Sequence, residues 1–204
     1  MSLLSKVTAK PWEHAGEMEG LHGGYRAGGS AGRTGLYMFL GVITSMFLLF
    51  SISYQLRASF PDWMAVTEPG ILWFNTGILL LTSISLQLAV YASPRGAAGP
   101  MRNYIFTGVI LTLVFLAGQL VAWGQLVEAG LYAKANPANA FFYLLTGVHG
   151  LHLIGGLWFL GSAAKRAVKS ADDEALPLRV SLCATYWHYL LLVWALLFYL
   201  LLNS

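Results

Sequence analysis

The sequence predicts an all-α membrane protein, a bundle of five transmembrane helices with the N-terminus cytoplasmic and the C-terminus periplasmic or outside. Three observations carry that prediction. Of 204 residues, 57% are hydrophobic and 10% charged, against roughly a quarter charged in a soluble domain. Five stretches, Gly35–Leu56, Pro69–Pro94, Asn103–Val127, Ala135–Ala164 and Val180–Ser204, contain no Asp, Glu, Lys or Arg, and each meets the ~20 residues a helix needs to cross hydrocarbon. They are continuously apolar, without the two-residue alternation of barrel strands. Lys and Arg set the orientation: ten of the twelve fall on the N-terminal segment and the second and fourth loops, leaving Arg57 and Lys134 opposite. Cytoplasmic loops carry such an excess, so the net charge of +3 reflects topology and argues against nucleic acid as a partner.

Residues 1–34 hold seven glycines and mixed charge, with no apolar core of the signal-peptide kind, and read as a flexible Gly-rich cytoplasmic extension. His14 and His22 lie there among Glu13, Glu17 and Glu19, as expected of a solvated tail. Residues 35–204 form the five-helix domain, with spans near 35–56, 70–93, 103–127, 138–164 and 180–202. The first two spans are joined by an outer turn containing Pro61, Asp62 and Trp63. Trp63, Trp73, Trp123, Tyr143 and Tyr199 fall at outer ends and Tyr91, Tyr104, Trp158, Tyr186 and Trp187 at inner ends, the headgroup levels these rings prefer. The loop Lys165–Arg179 mixes both charges and ends near Pro177, as a solvated connector does. Cys183 is the single cysteine, which excludes an internal disulfide and a Cys-pair metal site.

Three histidines, His149, His152 and His188, are the only groups in the spans that titrate near neutral pH. A polar ring in hydrocarbon needs a partner. In the fourth span His149 and His152 lie about 60° apart on one face, with Gly147, Gly150 and Gly161 grouped elsewhere to admit a neighbouring helix. His152 and His188 reach comparable depths, so one reading pairs them as axial ligands of a b-type haem. The other gives each ring a hydrogen bond across the bundle, with Thr146, Thr185 and Gln119 available. The spans contain no carboxylate, which disfavours an ion-coupled transporter. Asn75, Gln87, Gln119 and Gln125 are neutral and suited to interhelical hydrogen bonds.

These residues sit in longer segments that together resemble subunit III of haem-copper oxidases, the family that includes cytochrome c oxidase and bacterial quinol oxidases. The resemblance runs from Gly35 to Leu202. It is most specific in F-F-Y-L-L-T-G-V-H-G-L-H, Phe141–His152, and Y-W-H-Y-L-L-L-V-W, Tyr186–Trp194. Supporting segments are Gly35–Leu40, Leu56–Trp63, Asn75–Ser83 and Ala117–Trp123. Five spans match the short bacterial form, which lacks the first two helices of the longer type.

The resemblance implies a multi-pass protein of the bacterial inner membrane with no catalytic or metal site in this chain. Haem and copper would lie in partner subunits. The chain would pack directly on subunit I, associate with subunit II and other oxidase subunits, and hold structural phospholipids, supporting a complex that reduces O2 and pumps protons. The lipid and interface positions it implies are His149, His152, His188, Trp187, Tyr186, Thr146, Gly150, Asn75, Gln119 and Arg57. An accessory subunit of a nitric oxide reductase and, further off, a haem-bearing cytochrome b anchor are the alternatives. The family often has acids where this chain has Ile43, Ala122 and Leu191, so neutral groups must fix its helices.

Overall fold

Five helices account for nearly all of the computed structural model, which describes residues 24–64, 69–93, 98–169 and 175–203. They are α1 (Gly24–Ala58), α2 (Ile71–Ala92), α3 (Ala98–Glu128), α4 (Pro137–Lys169) and α5 (Leu176–Leu202). All five are long and apolar enough to cross a membrane. The helices overrun the expected spans at most ends, because those spans were bounded by the nearest charged or proline residue. A helix continues through such residues once its end lies in the polar headgroup zone. At 1.5 Å per residue the 33 residues of α4 run about 50 Å, beyond a hydrocarbon core of roughly 30 Å. The first helix begins at Gly24, ahead of the Gly35 boundary, so 24–34 are helical; the remainder of the expected extension lies outside the described residues.

The ends follow from local chemistry. After α3, Gly130 adopts a positive φ of 77°. Its N–H reaches Val127 O at 3.0 Å and that of Leu131 reaches Leu126 O at 2.9 Å. These are the two bonds of a Schellman stop, which a residue with a Cβ would strain. Helix α4 opens with Asn136, whose Oδ1 accepts from Ala138 N at 3.1 Å, and with Pro137 at the first helical position, where no N–H is missed. At the same end Asn139 Nδ2 donates to Tyr132 O at 3.2 Å and Tyr143 Oη to Leu131 O at 3.2 Å. The α3–α4 turn is thereby tied to α4.

The contacts divide the chain into two units, Met1–Phe39 and Leu40–Ser204. Of the first, the described part is the opening of α1. In the second, α2 packs on α3, α3 on α4, α4 on α5 and α5 back on α2, a closed ring in which every neighbour is antiparallel. Residues 40–58 of α1 meet that ring through side chains: Phe47 against His149 and His152, Tyr54 against Phe141, and Thr44 Oγ1 2.9 Å from Tyr189 Oη. Large apolar side chains such as Leu151, Trp158 and Leu192 remain exposed, as lipid or a partner subunit requires.

Inside the ring, hydroxyls turn back on their own helices. Thr76, Thr82, Thr112, Thr146 and Thr185 each donate to the carbonyl four residues earlier. That arrangement satisfies a polar group where no water is available.

Candidate functional site

Helix α4 carries its buried stripe through Phe142, Leu145, Thr146, His149, Leu153, Gly156 and Leu160, the three- and four-residue spacing of one helical face. His149 therefore points into the centre of the ring and is 0% exposed. Its ring centroid lies 5.3 Å from Trp194, 6.1 Å from Phe115 and 6.5 Å from Phe47. Neither ring nitrogen has a hydrogen-bond partner among the described residues. The site is an aromatic cage joining α1, α3, α4 and α5. Trp194 is anchored in turn by its Nε1 donating to Thr76 Oγ1 at 2.9 Å.

The other two histidines do not face each other. His152 Nδ1 lies 2.8 Å from Val148 O, one turn back on α4; a carbonyl accepts only, so Nδ1 carries the proton. The His152 ring rests on Phe47 at 5.7 Å. His188 projects from α5 onto α2, where its Nδ1 meets Ser83 Oγ and its Nε2 lies 2.9 Å from Gln87 Oε1. With Nε2–H donating to the amide oxygen, Nδ1 accepts the Ser83 hydroxyl and the ring is neutral. Both nitrogens of His188 are thus engaged, and the axial pair that depth alone suggested is not formed. A hydrogen bond across the bundle is made by His188 alone: His152 bonds its own helix and His149 has no partner among the described residues. Of the partners expected, Thr146 accepts from Trp123 Nε1 at 3.1 Å, Thr185 bonds Ser181 O, and neither reaches a histidine.

The remaining expected positions divide sharply. Tyr186 and Trp187 are 7% and 0% exposed, so they are core rather than headgroup anchors, and Tyr186 Oη donates to His152 O at 3.0 Å. Both pack on Gly156, where an added Cβ would come within 2.6 Å of Tyr186 and 2.8 Å of Trp187. Gly150 and Gly161, in contrast, face open space, and Gly147 makes ordinary contact with Trp123. The close helix approaches therefore lie at Gly156, at Gly118, whose Cβ would strike the Asn75 amide, and at Gly108, whose Cβ would come within 2.9 Å of Leu86. Asn75 and Gln119 are buried with no hydrogen-bond partner among the described residues, contrary to the interhelical bonds expected of them. Arg57 is held at the outer turn by two hydrogen bonds donated to the Asp62 carboxylate, 2.8 and 2.5 Å, with Phe60 beneath it at 5.0 Å. That pairing competes with the lipid headgroup contact expected of it.

Gln87 makes the interhelical hydrogen bond expected of it, whereas Ser83 and the packing role of Gly156 were not singled out in the sequence. Ser83 and Gln87 lie four apart on α2, which is the one available signal, since it places two hydrogen-bonding groups on one face. Among the described residues no group of three His, Cys, Asp or Glu is placed to hold a metal ion.

The model of the family described as cytochrome c oxidase subunit III matches residues 19–203. The chain belongs to that family. It is 31% identical over 123 residues to a probable cytochrome c oxidase subunit 3 of Nocardia farcinica, 60% of this chain and 61% of that protein. It is 25% identical over 169 residues to the cytochrome c oxidase subunit 3 of Bacillus subtilis, 80% and 82% of the two chains. It is also 25% identical over 158 residues to the cytochrome bo(3) ubiquinol oxidase subunit 3 of Pseudomonas aeruginosa, 77% and 75%. The chain spans about 61% of the length of the Nocardia relative it matches. As a member of the subunit III family, it carries neutral side chains at the three positions noted above as often acidic. Ile43 and Ala122 are buried, at 2% and 0% exposure, and Leu191 is half-buried. An apolar residue at the first two adds to the core without a charge to neutralise.

Proposed function

We propose that this chain is the non-redox subunit III of a bacterial terminal respiratory oxidase, seated in the cytoplasmic membrane with its N-terminus inside. In this reading it stabilises the catalytic subunit I, contacts subunit II and holds structural phospholipids, while haem, copper, O2 reduction and proton pumping belong to the partners. The names of the Nocardia, Bacillus and Pseudomonas relatives support the oxidase assignment. Both a cytochrome c oxidase and a quinol oxidase occur among them, so the electron donor follows from the partner subunits.

The observation that carries the subunit role is the His188 cluster. His188 is exposed and hydrogen-bonded to Ser83 and Gln87. Around it on the same two helices lie Leu80, Ile84 and Leu192, all exposed. A polar point set in an apolar face suits burial against another membrane protein better than contact with acyl chains, where polar groups gain nothing.

The test is purification of the tagged chain from native membranes, with its partners identified by mass spectrometry and haem measured per catalytic subunit. Wild type should bring down subunits I and II. His188→Leu and His152→Leu should weaken that association while leaving haem per subunit I unchanged. A stoichiometric Soret band on the isolated chain, lost in either variant, would sink the reading.

A further inference from the structure

Helix α2 turns two kinds of surface out of the ring. Phe74, Leu81 and Leu88 are exposed and uniformly large and apolar, as suits contact with acyl chains. A second stripe, Trp73, Gly77, Leu80, Ile84, Gln87 and Tyr91, recurs at alternating intervals of four and three residues, the spacing of a seam in left-handed helix packing. All of it is exposed except Gln87, which is half-buried. Yet it includes a glycine, which leaves a notch, and an amide, which in hydrocarbon needs a partner.

Helix α5 carries a matching stripe. His188, Leu192, Ala195 and Tyr199 are exposed at the same spacing. The α2–α5 register is set by the bond between Ser83 and His188, by Trp194 Nε1 donating to Thr76 Oγ1 at 2.9 Å, and by the Trp73 ring 4.8 Å from Phe198. In that antiparallel register Ile84 is level with His188, Leu80 with Leu192 and Gly77 with Ala195. The two stripes therefore flank one groove, with its smallest side chains at Gly77 and Ala195. A Cβ on Gly77 meets nothing within 4 Å, so this glycine serves no close approach inside the chain.

The polar part of the groove has a direction. His188 Nε2 donates to Gln87 Oε1 at 2.9 Å, which leaves the two N–H bonds of the Gln87 amide nitrogen to donate elsewhere. The 22 residues of α2 run about 33 Å, close to the roughly 30 Å hydrocarbon core, and Gln87 lies about 8 Å from the middle. Its side chain leans back toward that middle, as helical side chains lean toward the N-terminus, away from the lipid ester oxygens at the boundary. Outside the described residues this chain has no charge-free run long enough to fill the groove, since Lys6, Lys10, Glu13, Glu17 and Glu19 are spread along 1–23.

We infer that the α2–α5 groove seats a single transmembrane helix of the catalytic partner, crossing α2 in left-handed packing, with an oxygen acceptor for the Gln87 amide. It deepens the subunit role proposed above and rests on that reading. The partner helix places one side chain in the notch at Gly77 and Ala195, and its acceptor lies about 15 Å further along the axis, the distance from Gly77 to Gln87 at 1.5 Å per residue. A polar residue within an otherwise apolar seam fixes register, which is the part Gln87 plays here.

The experiment is photo-crosslinking in native membranes, with a benzophenone amino acid placed singly in the full chain at Leu80, Ile84 or Leu192, and at Phe74 or Leu81 as controls about 90° round α2 from the seam. The three seam positions should crosslink to one segment of one oxidase subunit, and the controls to lipid. Association of the purified complex is then titrated with detergent. Gln87→Leu should weaken it about 3- to 30-fold, the range of one interhelical hydrogen bond. Gly77→Leu should weaken it about 10-fold or more by filling the notch, while the isolated chain melts as wild type does. Seam crosslinks to lipid alone or to a second copy of this chain, equal crosslinking from Phe74 and Leu81, or unchanged association of both variants would each overturn the groove. Co-purifying oxidase subunits are scored on the same samples: their presence with a silent seam leaves the subunit reading standing, and their absence sinks both.

Discussion

Replacing Gly156 by alanine should be one of the most damaging single-methyl changes in the bundle. The added Cβ would lie 2.6 Å from Tyr186 Cε1 and 2.8 and 2.9 Å from two Trp187 ring carbons, all inside the distance real Cβ contacts reach. Neither ring has an easy escape. Trp187 is fully buried, and Tyr186 is tethered by its hydroxyl to His152 O at 3.0 Å. Relief requires α4 and α5 to separate or Tyr186 to swing away. Overpacking of this kind costs about 1–3 kcal/mol, and breaking the tyrosine hydrogen bond adds about 1 kcal/mol, for a total near 2–4 kcal/mol. Gly150→Ala, Gly155→Ala and Gly161→Ala supply the control, since each Cβ would meet nothing within 4 Å. The assay is thermal denaturation of the purified protein in one detergent, all four variants side by side. Gly156→Ala should melt well below wild type and the three controls close to it. A Gly156→Ala protein as stable as the controls would refute the claim that this contact sets the α4–α5 distance.

Two further outcomes are expected. Gln119→Met should raise the melting temperature, by about 1 kcal/mol of stability, because an amide buried without partners bears a desolvation penalty that a thioether of similar size does not; a drop in melting temperature would show that the amide is bonded to water or a partner subunit. At the outer turn, Arg57 holds the Asp62 carboxyl below its ordinary value near 3.8, chiefly through their hydrogen bond. A depressed folded pKa contributes stability that is full above the unfolded value and lost as pH falls through the folded one, so any stabilisation by the pair should persist at pH 7 and fade below about pH 4, whereas Asp62→Asn should show no such loss. Melting curves from pH 7 to 3 read both.

Much of the fold was legible because hydrocarbon imposes a simple rule. Charge-free runs longer than a bilayer can be little else than helices, and Gly35–Leu56 or Val180–Ser204 needed no finer signal. Their ends were less legible, since Lys165 and Arg166 stop a hydropathy count without stopping a helix. The site was read only in part. His149, His152 and His188 stood out by chemistry, but their partners depend on helix rotation, which depth and spacing leave open. Gly150 and Gly156 carry the same residue type on one helix, and only the position of Tyr186 and Trp187 across the interface distinguishes an open glycine from a packed one. Gln87 was expected to bond between helices, but its partner, and the part played by Ser83, emerged only once α5 brought His188 beside them.

The three histidines then separate by what a neutral imidazole can do in each setting. His149 is surrounded by rings and uses shape: its nitrogens are silent and its faces pack on Phe47, Phe115 and Trp194. His152 spends its proton on its own helix and takes a tyrosine bond on its backbone carbonyl, so it couples the conformation of α4 to α5. His188 donates to the Gln87 amide oxygen, which can only accept, while the Ser83 hydroxyl donates to the ring's other nitrogen, a division of roles that neither a carboxylate nor a lysine offers. A chain without acids in its spans has no counter-charge for a cation there, and a histidine kept neutral by this division of donor and acceptor needs none. The three histidines thus make three distinct joints, one at the centre of the ring, one between α4 and α5 and one on the exposed face of α2 and α5.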